Sequence, residues 1–500
     1  MRRWMARASA LGAAALFAAS DVQAHGLHPP VAVAPPGKAA GKAAPAGARR
    51  WLAGDHHIHS RFSADYPEPP PGQAPKPVLG EDGLYGIPKN AEMARAHGLS
   101  WMVSTDHGGP NHSKLNYEQT YPELVQARDQ VPEVLQFYGM ELDTPGGDHS
   151  SLILPRTDQE RERLRELEGR FSAHEPWPRD PARETESKMI EALGHMRGLP
   201  DPPVVIANHP SRSATGPGVW GRYSPAELRT WHDTAPEVAI GMEGAPGHQA
   251  GALRPDGTLK PEGVRGAYKA SPTLGGFDQM TARLGGFWDS MLGEGRRWWV
   301  TSTSDSHRHY REGGDDFWPG EYSKTYVRAA RSYDDILDGL RAGRVFVTTG
   351  DLISELDVTA CVAGPAGCTD IGGALSVRPG EPVEVTIRAR DPAGRNFGGQ
   401  SPEVARVDLI MGEVSGPVAD RTRDANPTTR VVKRFGPADW RRDGEVLTMT
   451  HRIEGLRQPA YLRVRGTSTA ELEPSADPPG EDPWADLWFY ANPIFLTVGP

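Results

Sequence analysis

His57 and His59 are separated by a single residue. On an extended chain residues i and i+2 face the same side, so both imidazoles can reach one metal ion. His56 then points the other way, toward the core or into a supporting contact. A His-x-His pair by itself is equally compatible with two core histidines, but this pair has company. Asp65 follows in Ser63-Ala64-Asp65, and then come Asp106-His107, Glu141, His149, His209 and Asp305-Ser306-His307. Carboxylates with imidazoles form the donor set for Zn, Mn or Fe, and no cysteine lies near enough to suggest a structural zinc site. So many ionisable groups beside buried segments would repel one another or suffer desolvation unless metal ions neutralised them.

The segments that must position these groups are short apolar runs, each leading into or following one of them. Trp51-Leu52-Ala53-Gly54 precedes Asp55-His56-His57, and Trp101-Met102-Val103 precedes Asp106-His107. Phe137-Tyr138-Gly139-Met140 precedes Glu141, Ser151-Leu152-Ile153-Leu154 follows His149, and Val204-Val205-Ile206-Ala207 precedes Asn208-His209. Val238 to Met242 leads into Glu243, and Trp298-Trp299-Val300 leads toward Asp305. Near-continuous apolar runs of this length are what strands buried on both faces look like. Chemistry at their C-terminal ends is the mark of a parallel α/β barrel or sheet. Helices are expected at 90–97, at 184–197 with Met189, Ile190, Leu193 and Met196 on one stripe, and at 332–340 behind the Ser332-x-x-Asp335 capping box. Residues 51–351 therefore read as one α/β domain.

Beyond Asp351 the periodicity changes. Val383 to Ala389, Val407 to Leu409 and Tyr461 to Arg465 alternate apolar and polar residues, and the chain closes on Ile494-Phe495-Leu496-Thr497-Val498. Residues 352–500 read as an antiparallel β-sandwich domain with a structural or docking role. At the other end, residues 1–24 carry Arg2, Arg3 and Arg7, then a short apolar run, then Val22-Gln23-Ala24, which is the pattern of a signal peptide. Residues 25–50 are rich in Pro, Ala, Gly and Lys and read as a flexible linker. The mature chain is expected to be periplasmic or secreted. In that setting a disulfide between Cys361 and Cys368, the two cysteines of the chain, would be a local staple of roughly 2.5 kcal/mol in the chain-entropy model.

A chain of 500 residues exceeds a single core. Its mean hydropathy of -0.54 and the absence of another long apolar segment argue against a membrane span in the mature chain. With a net charge of -10 the expectation is a small-molecule substrate and no nucleic-acid partner, since phosphate-backbone binders usually carry a basic face.

The order and spacing of the motifs resemble the PHP family, named for polymerase and histidinol phosphatase domains. The resemblance covers residues 51–351 and finds all nine ligand positions of that family filled, by His57, His59, Asp65, His107, Glu141, His149, His209, Asp305 and His307. It implies a distorted (β/α)7 barrel. It also implies that His57, His59, Glu141 and Asp305 hold one metal ion, that Glu141 bridges to a second held by His149 and His209, and that Asp65, His107 and His307 hold a third. Lys324-Thr325-Tyr326, the stretch from Arg341 to Gly350 and Asp486 to Phe495 are similar to the carbaryl-hydrolase-like branch of that superfamily, whose members join a metal barrel to a C-terminal β domain.

Two or three divalent ions (Zn, Mn or Fe) that share a carboxylate can also share a water and lower its pKa toward neutrality, giving a metal-bridging hydroxide. The leading expectation is a phosphoesterase. The alternatives are a carboxylic ester or carbamate hydrolase on the same metals, and a non-catalytic metal- or anion-binding surface module. Arg212, three residues after His209, and Arg308, next to His307, are candidates to grip an anionic substrate group. Asp106 is expected to orient a neighbouring ligand, and Glu243 either to do the same or to be plain structure. The Pro-rich stretch 67–88 could form part of a substrate lid, whereas the charged stretch 156–183 reads as exposed loop and solvated helix.

Overall fold

The computed structural model describes residues 47–363 and 367–499. The expected signal peptide and residues 25–46 of the expected linker lie outside the described residues, and Arg50 already belongs to the first strand. Among the described residues no helix is long and apolar enough to cross a membrane.

The apolar runs become strands: β1 (Arg50–Asp55), β2 (Trp101–Ser104), β3 (Leu135–Asp143), β4 (His149–Ile153), β5 (Val204–Ala207), β6 (Ala239–Ala245) and β7 (Trp299–Ser302). They are neighbours in chain order. β1, β2 and β3 pair in parallel, as do β5, β6 and β7, and β4 runs antiparallel between the two triplets. All four residues of β5 are fully buried, which is why they carry no polar alternation. A parallel bridge between Ile58 and Ser306 links the segment after β1 to the segment after β7. An antiparallel pair, β8 (Ser323–Ala329) and β9 (Val345–Thr349), joined through the helix Tyr333–Arg341, lies on the other edge of β1.

Helices cover this sheet where local chemistry starts them. Thr185 caps Glu186–Arg197 by accepting the Lys188 N–H, and Ser332 caps Tyr333–Arg341 by accepting the Asp335 N–H. Ser224 caps Pro225–Thr234 in the same way, through the Glu227 N–H, with proline at the first helical turn. The charged helix Glu160–Phe171 is half-buried rather than solvated. Leu164, Leu167 and Phe171 enter the core, and Glu160 is buried against Arg128 and Arg156.

The later strands do not stand apart from this sheet. Trp488–Ala491 pairs with β9 and carries the pairing onward through Ala460–Thr467 to Arg406–Glu413 and Ile494–Val498, so one sheet of 15 strands runs through the molecule. Facing this extension across an apolar core is a separate antiparallel sheet of 5 strands that contains Glu355–Cys361, Val383–Arg390 and Val446–Ile453. One pair departs from the antiparallel expectation: Ala374–Val377 runs parallel to Ile494–Val498. Cys361 and Cys368 sit opposite each other on paired strands and are disulfide-bonded.

Candidate metal centre

The strand ends converge. His57 and His59 follow β1, Asp106 and His107 follow β2, Glu141 lies near the end of β3, His209 follows β5, and Asp305 and His307 follow β7. β4 runs opposite to β3, so its first residue, His149, is in register with Asp143 at the end of β3 and arrives at the same edge. There, a cleft of about 480 Å³ is lined by Asp65, Asp82, His107, Glu141, His149, Arg212, His248, Asp305, His307 and Arg308, among others.

Two carboxylates organise the donors. Glu141 lies 3.0 Å from His57 Nε2, 3.1 Å from His149 Nδ1, 3.1 Å from His209 Nε2 and 3.6 Å from His59 Nε2. Asp305 Oδ1 lies 3.1 Å from His57 Nε2 and 3.0 Å from His59 Nε2. Donor atoms on one tetrahedral ion, each about 2.1 Å from it, stand about 3.4 Å apart. The observed spacings bracket that value. His59 Nε2, His149 Nδ1, Asp305 Oδ1 and Asp82 Oδ2 are buried without a hydrogen bond, although each has another of these donors nearby. Buried polar atoms left in this state are costly, and divalent ions fit both their chemistry and their arrangement. Among the described residues, four groups of ligating atoms around this cleft lie close enough to share an ion: His57, His59 and Glu141; Glu141, His149 and His209; His59, His107 and His307; and His248, His307 and Asp316.

Residues behind the imidazoles fix which nitrogen faces the cleft. His57 Nδ1 is 2.7 Å from Glu243 Oε1, and the other oxygen of Glu243 accepts the His209 backbone N–H at 2.6 Å. Asp106 is buried and does not face the cleft. It accepts from the Ser60 backbone N–H and hydroxyl and from Ser63 Oγ, and Ser63 Oγ lies 2.7 Å from His59 Nδ1. Asp106 thus acts on His59 through Ser63. With Ser63 donating to Asp106, His59 must donate through Nδ1, which leaves the Nε2 lone pair for the cleft. His56 turns away, held between Ser151 and Thr301 at 3.0 and 2.8 Å.

The electrostatics reflect this crowding. Burial and then the neighbouring His307 hold His59 well below the usual imidazole range. Burial opposes charge on His57, but Asp305, Glu141 and Glu243 outweigh it and hold that ring well above the usual range. Burial would raise Glu141, yet His149 and His57 keep it well below the usual carboxylate range.

Two residues that strand-end reasoning passed over enter the site. His248 Nε2 lies 3.0 Å from Asp305 Oδ2 and its Nδ1 2.5 Å from Asp316 Oδ1. Asp316 in turn accepts the backbone N–H groups of His307 and Arg308. His248 follows β6 by a few residues, so the rule that singled out His209 after β5 would have found it too. The other is Asp82, 3.2 Å from His107 Nε2 and 3.5 Å from His307 Nε2. Asp65 also lines the cleft but is exposed; neither it nor Asp82 belongs to the groups of ligating atoms above. Backbone strain collects here as well: His209, His248 and Asp305 have φ of 30°, 54° and 46°. Non-glycine residues in that region persist where the surrounding structure over-determines them. Gly247 shows how tightly this loop is packed, since a Cβ there would lie 2.0 Å from Asp305 Cβ. At the rim, Arg212 is anchored by Asp148 at 3.0 Å, and Arg308 Nε is buried with no hydrogen-bond partner.

No protein-family model matches the chain, and no curated protein matches it. Among solved structures, it is similar to an Endonuclease Q in complex with a 27-mer duplex substrate carrying an abasic lesion at the active site, at 14% identity and a TM-score of 0.34 over 58% of this chain and 57% of that one. It is also similar to the lesion-specific endonuclease from Pyrococcus furiosus, at 15% identity and a TM-score of 0.33 over 64% of each chain. The chain thus spans less than two thirds of either structure's length, and likeness at this level assigns no substrate. One expectation is corrected beside this finding: the exclusion of a nucleic-acid partner is not kept, although at this TM-score the likeness to a DNA-bound structure says nothing of what this chain binds. The exclusion rested on net charge, which is a sum over the whole chain. What a phosphate meets is the local field, here set by the donor cluster and the arginines on its rim.

Proposed function

We propose that this chain is a metal-dependent hydrolase of the PHP type that cleaves a phosphoester. The observation that carries the reading is the set of buried, unbonded imidazole and carboxylate atoms converging around Glu141 and Asp305. The chain-order neighbours β1 to β7 and the bridge from Ile58 to Ser306 support a distorted seven-stranded barrel beneath them.

His57, His59, Glu141 and Asp305 would hold one ion, and Glu141, His149 and His209 a second. Bound divalent ions supply Lewis acidity and a water acidified toward neutral pH. The protein's own residues do the positioning. Glu243 holds His57 and the His209 backbone, Asp106 holds His59 through Ser63, and His248 holds the second oxygen of Asp305. Arg212 and Arg308 flank the cleft and offer guanidinium donors to phosphoryl oxygens. The carbaryl-hydrolase-like assignment and export of the mature chain belong to the same proposal. The first is supported by the continuation of the site-bearing sheet through β9 into the C-terminal strands, the second by the disulfide at Cys361.

The test is a panel of nitrophenyl phosphate, phosphodiester, duplex oligonucleotide and nitrophenyl acetate substrates, assayed before and after chelation and with Mn or Zn restored. Phosphoester turnover that disappears with the ions and returns with them is the expected result. Preference for the acetate, or turnover indifferent to chelation, would overturn the reading.

A further inference from the structure

The spacing between ligand motifs points to Asp65 as the acidic partner of His107 and His307, but the folded chain brings a different carboxylate to those rings. We propose that Asp82, delivered by the Pro-rich insertion, rather than Asp65, completes the metal position of His107 and His307. The proposal rests on the metallohydrolase reading and deepens it.

Three observations carry it. First, Asp82 Oδ2 stands 3.2 Å from His107 Nε2 and 3.5 Å from His307 Nε2, near the spacing of two donors on one ion and longer than a good charge-assisted hydrogen bond. That oxygen is closed off from solvent and makes no hydrogen bond. His307 presents Nε2 because its Nδ1 is engaged at 2.9 Å by the Asp305 carbonyl.

Second, the segment carrying Asp82 is built into the site. Gly80 N–H donates to the Arg61 carbonyl at 3.1 Å, Leu84 N–H to the His307 carbonyl at 3.1 Å, and Arg61 N–H to the Tyr85 carbonyl at 2.7 Å. A Cβ on Gly83 would lie 2.0 Å from the Ser60 carbonyl oxygen, so only glycine allows this close approach. Asp82 is therefore stitched on one side to the chain following His59 and on the other to His307 itself.

Third, Asp65 has another task. Its backbone N–H and carbonyl both pair with Val78 and close the base of the insertion, while the residue stays exposed. The stretch read as a possible lid thus supplies a ligand, and the residue at the expected spacing anchors the stretch.

The experiment uses the full chain and counts metal per chain by elemental mass spectrometry after loading with Zn and dialysis. Asp82→Asn is expected to retain one ion fewer than the unsubstituted protein and Asp65→Asn the same number. A loss from Asp65→Asn, or no loss from Asp82→Asn, overturns the assignment and leaves the metallohydrolase reading intact. If the unsubstituted protein retains no ion, the reading itself falls. Should Asp82→Asn fail to fold, Asp82→Cys and Asp65→Cys loaded with Co²⁺ give a spectroscopic readout. Both native cysteines are tied up in the disulfide, so thiolate-to-cobalt charge transfer reports the introduced thiol. The band is expected for Asp82→Cys only; its absence there, or its presence in Asp65→Cys, overturns the assignment.

Discussion

Among the described residues, two places gather side chains that could hold a cation, and they solve the charge problem differently. Under the strand ends, Glu141 and Asp305 are surrounded by imidazoles and leave donor atoms unbonded. Some distance along the chain, Asp477, Glu481 and Asp486 form a second group of potential ligands. There the cation is already part of the chain. Arg265, fully buried, donates to Asp486 at 2.6 Å and to Glu481 at 3.2 Å, and Asp477 is satisfied by Thr273 and by the backbone N–H groups of Gly275 and Gly276. Grouped carboxylates therefore do not make a site by themselves. What distinguishes the first cluster is that several of its buried atoms, His59 Nε2, His149 Nδ1 and Asp305 Oδ1 among them, have no hydrogen bond.

The contrast can be broken experimentally. The largest effect is expected at the open cluster: chelation, or His57→Ala, should lower phosphoester turnover by about 10³-fold or more, because the group that stabilises developing charge is lost. Steady-state rates before and after metal restoration check it, and activity that survives both changes would erase the distinction. At the closed cluster, Arg265→Ala should destabilise the protein by about 3–5 kcal/mol, since it strands buried carboxylates without their cation. Denaturant unfolding measures this, and the metal content of the folded variant should match that of the unsubstituted protein. Glu243→Gln should weaken metal binding by about 10–100-fold in a competitive chelator titration, while the metal-free protein melts near its usual temperature.

A third arrangement sharpens the comparison. Glu227 is buried with no ion pair to a basic side chain among the described residues, and one of its oxygens has no hydrogen bond. Burial, aided by Glu186, raises it to about 8, so it keeps its proton instead. The unfolded chain releases that proton near the ordinary carboxylate value of 4.5. Stability should therefore fall as pH rises between the two values, and the loss is complete above about 8. Glu227→Gln removes the titration. Its melting temperature should gain on the unsubstituted protein from pH 5 to pH 8, and equal differences at both ends would refute the account.

Much of the local architecture was legible in the residues. Apolar runs such as Val204 to Ala207 became strands, and the cap at Ser332 starts a helix where its side chain accepts a backbone N–H. Other features were not legible, for identifiable reasons. Arg463 and Arg465 occupy the polar positions of an alternating strand, yet both are buried, paired with Asp289 and Asp408. Their strand sits inside the large sheet, with neighbours on both edges and a helix over one face. The helix Glu160–Phe171 looked solvated because its partners, Arg128 and His112, lie far away in sequence.

The sequence by itself determined the inventory: which donor types exist, which of them end apolar runs, and which side of a strand each occupies. These follow from backbone periodicity and short-range sterics, which act within a few residues. Only the tertiary structure decided which charges meet. It gave His107 and His307 Asp82 as a neighbour, placed His248 behind Asp305, and filled one acidic cluster with Arg265. Those pairings depend on distances between loops remote in sequence, and the large sheet sets those distances when it closes over its core.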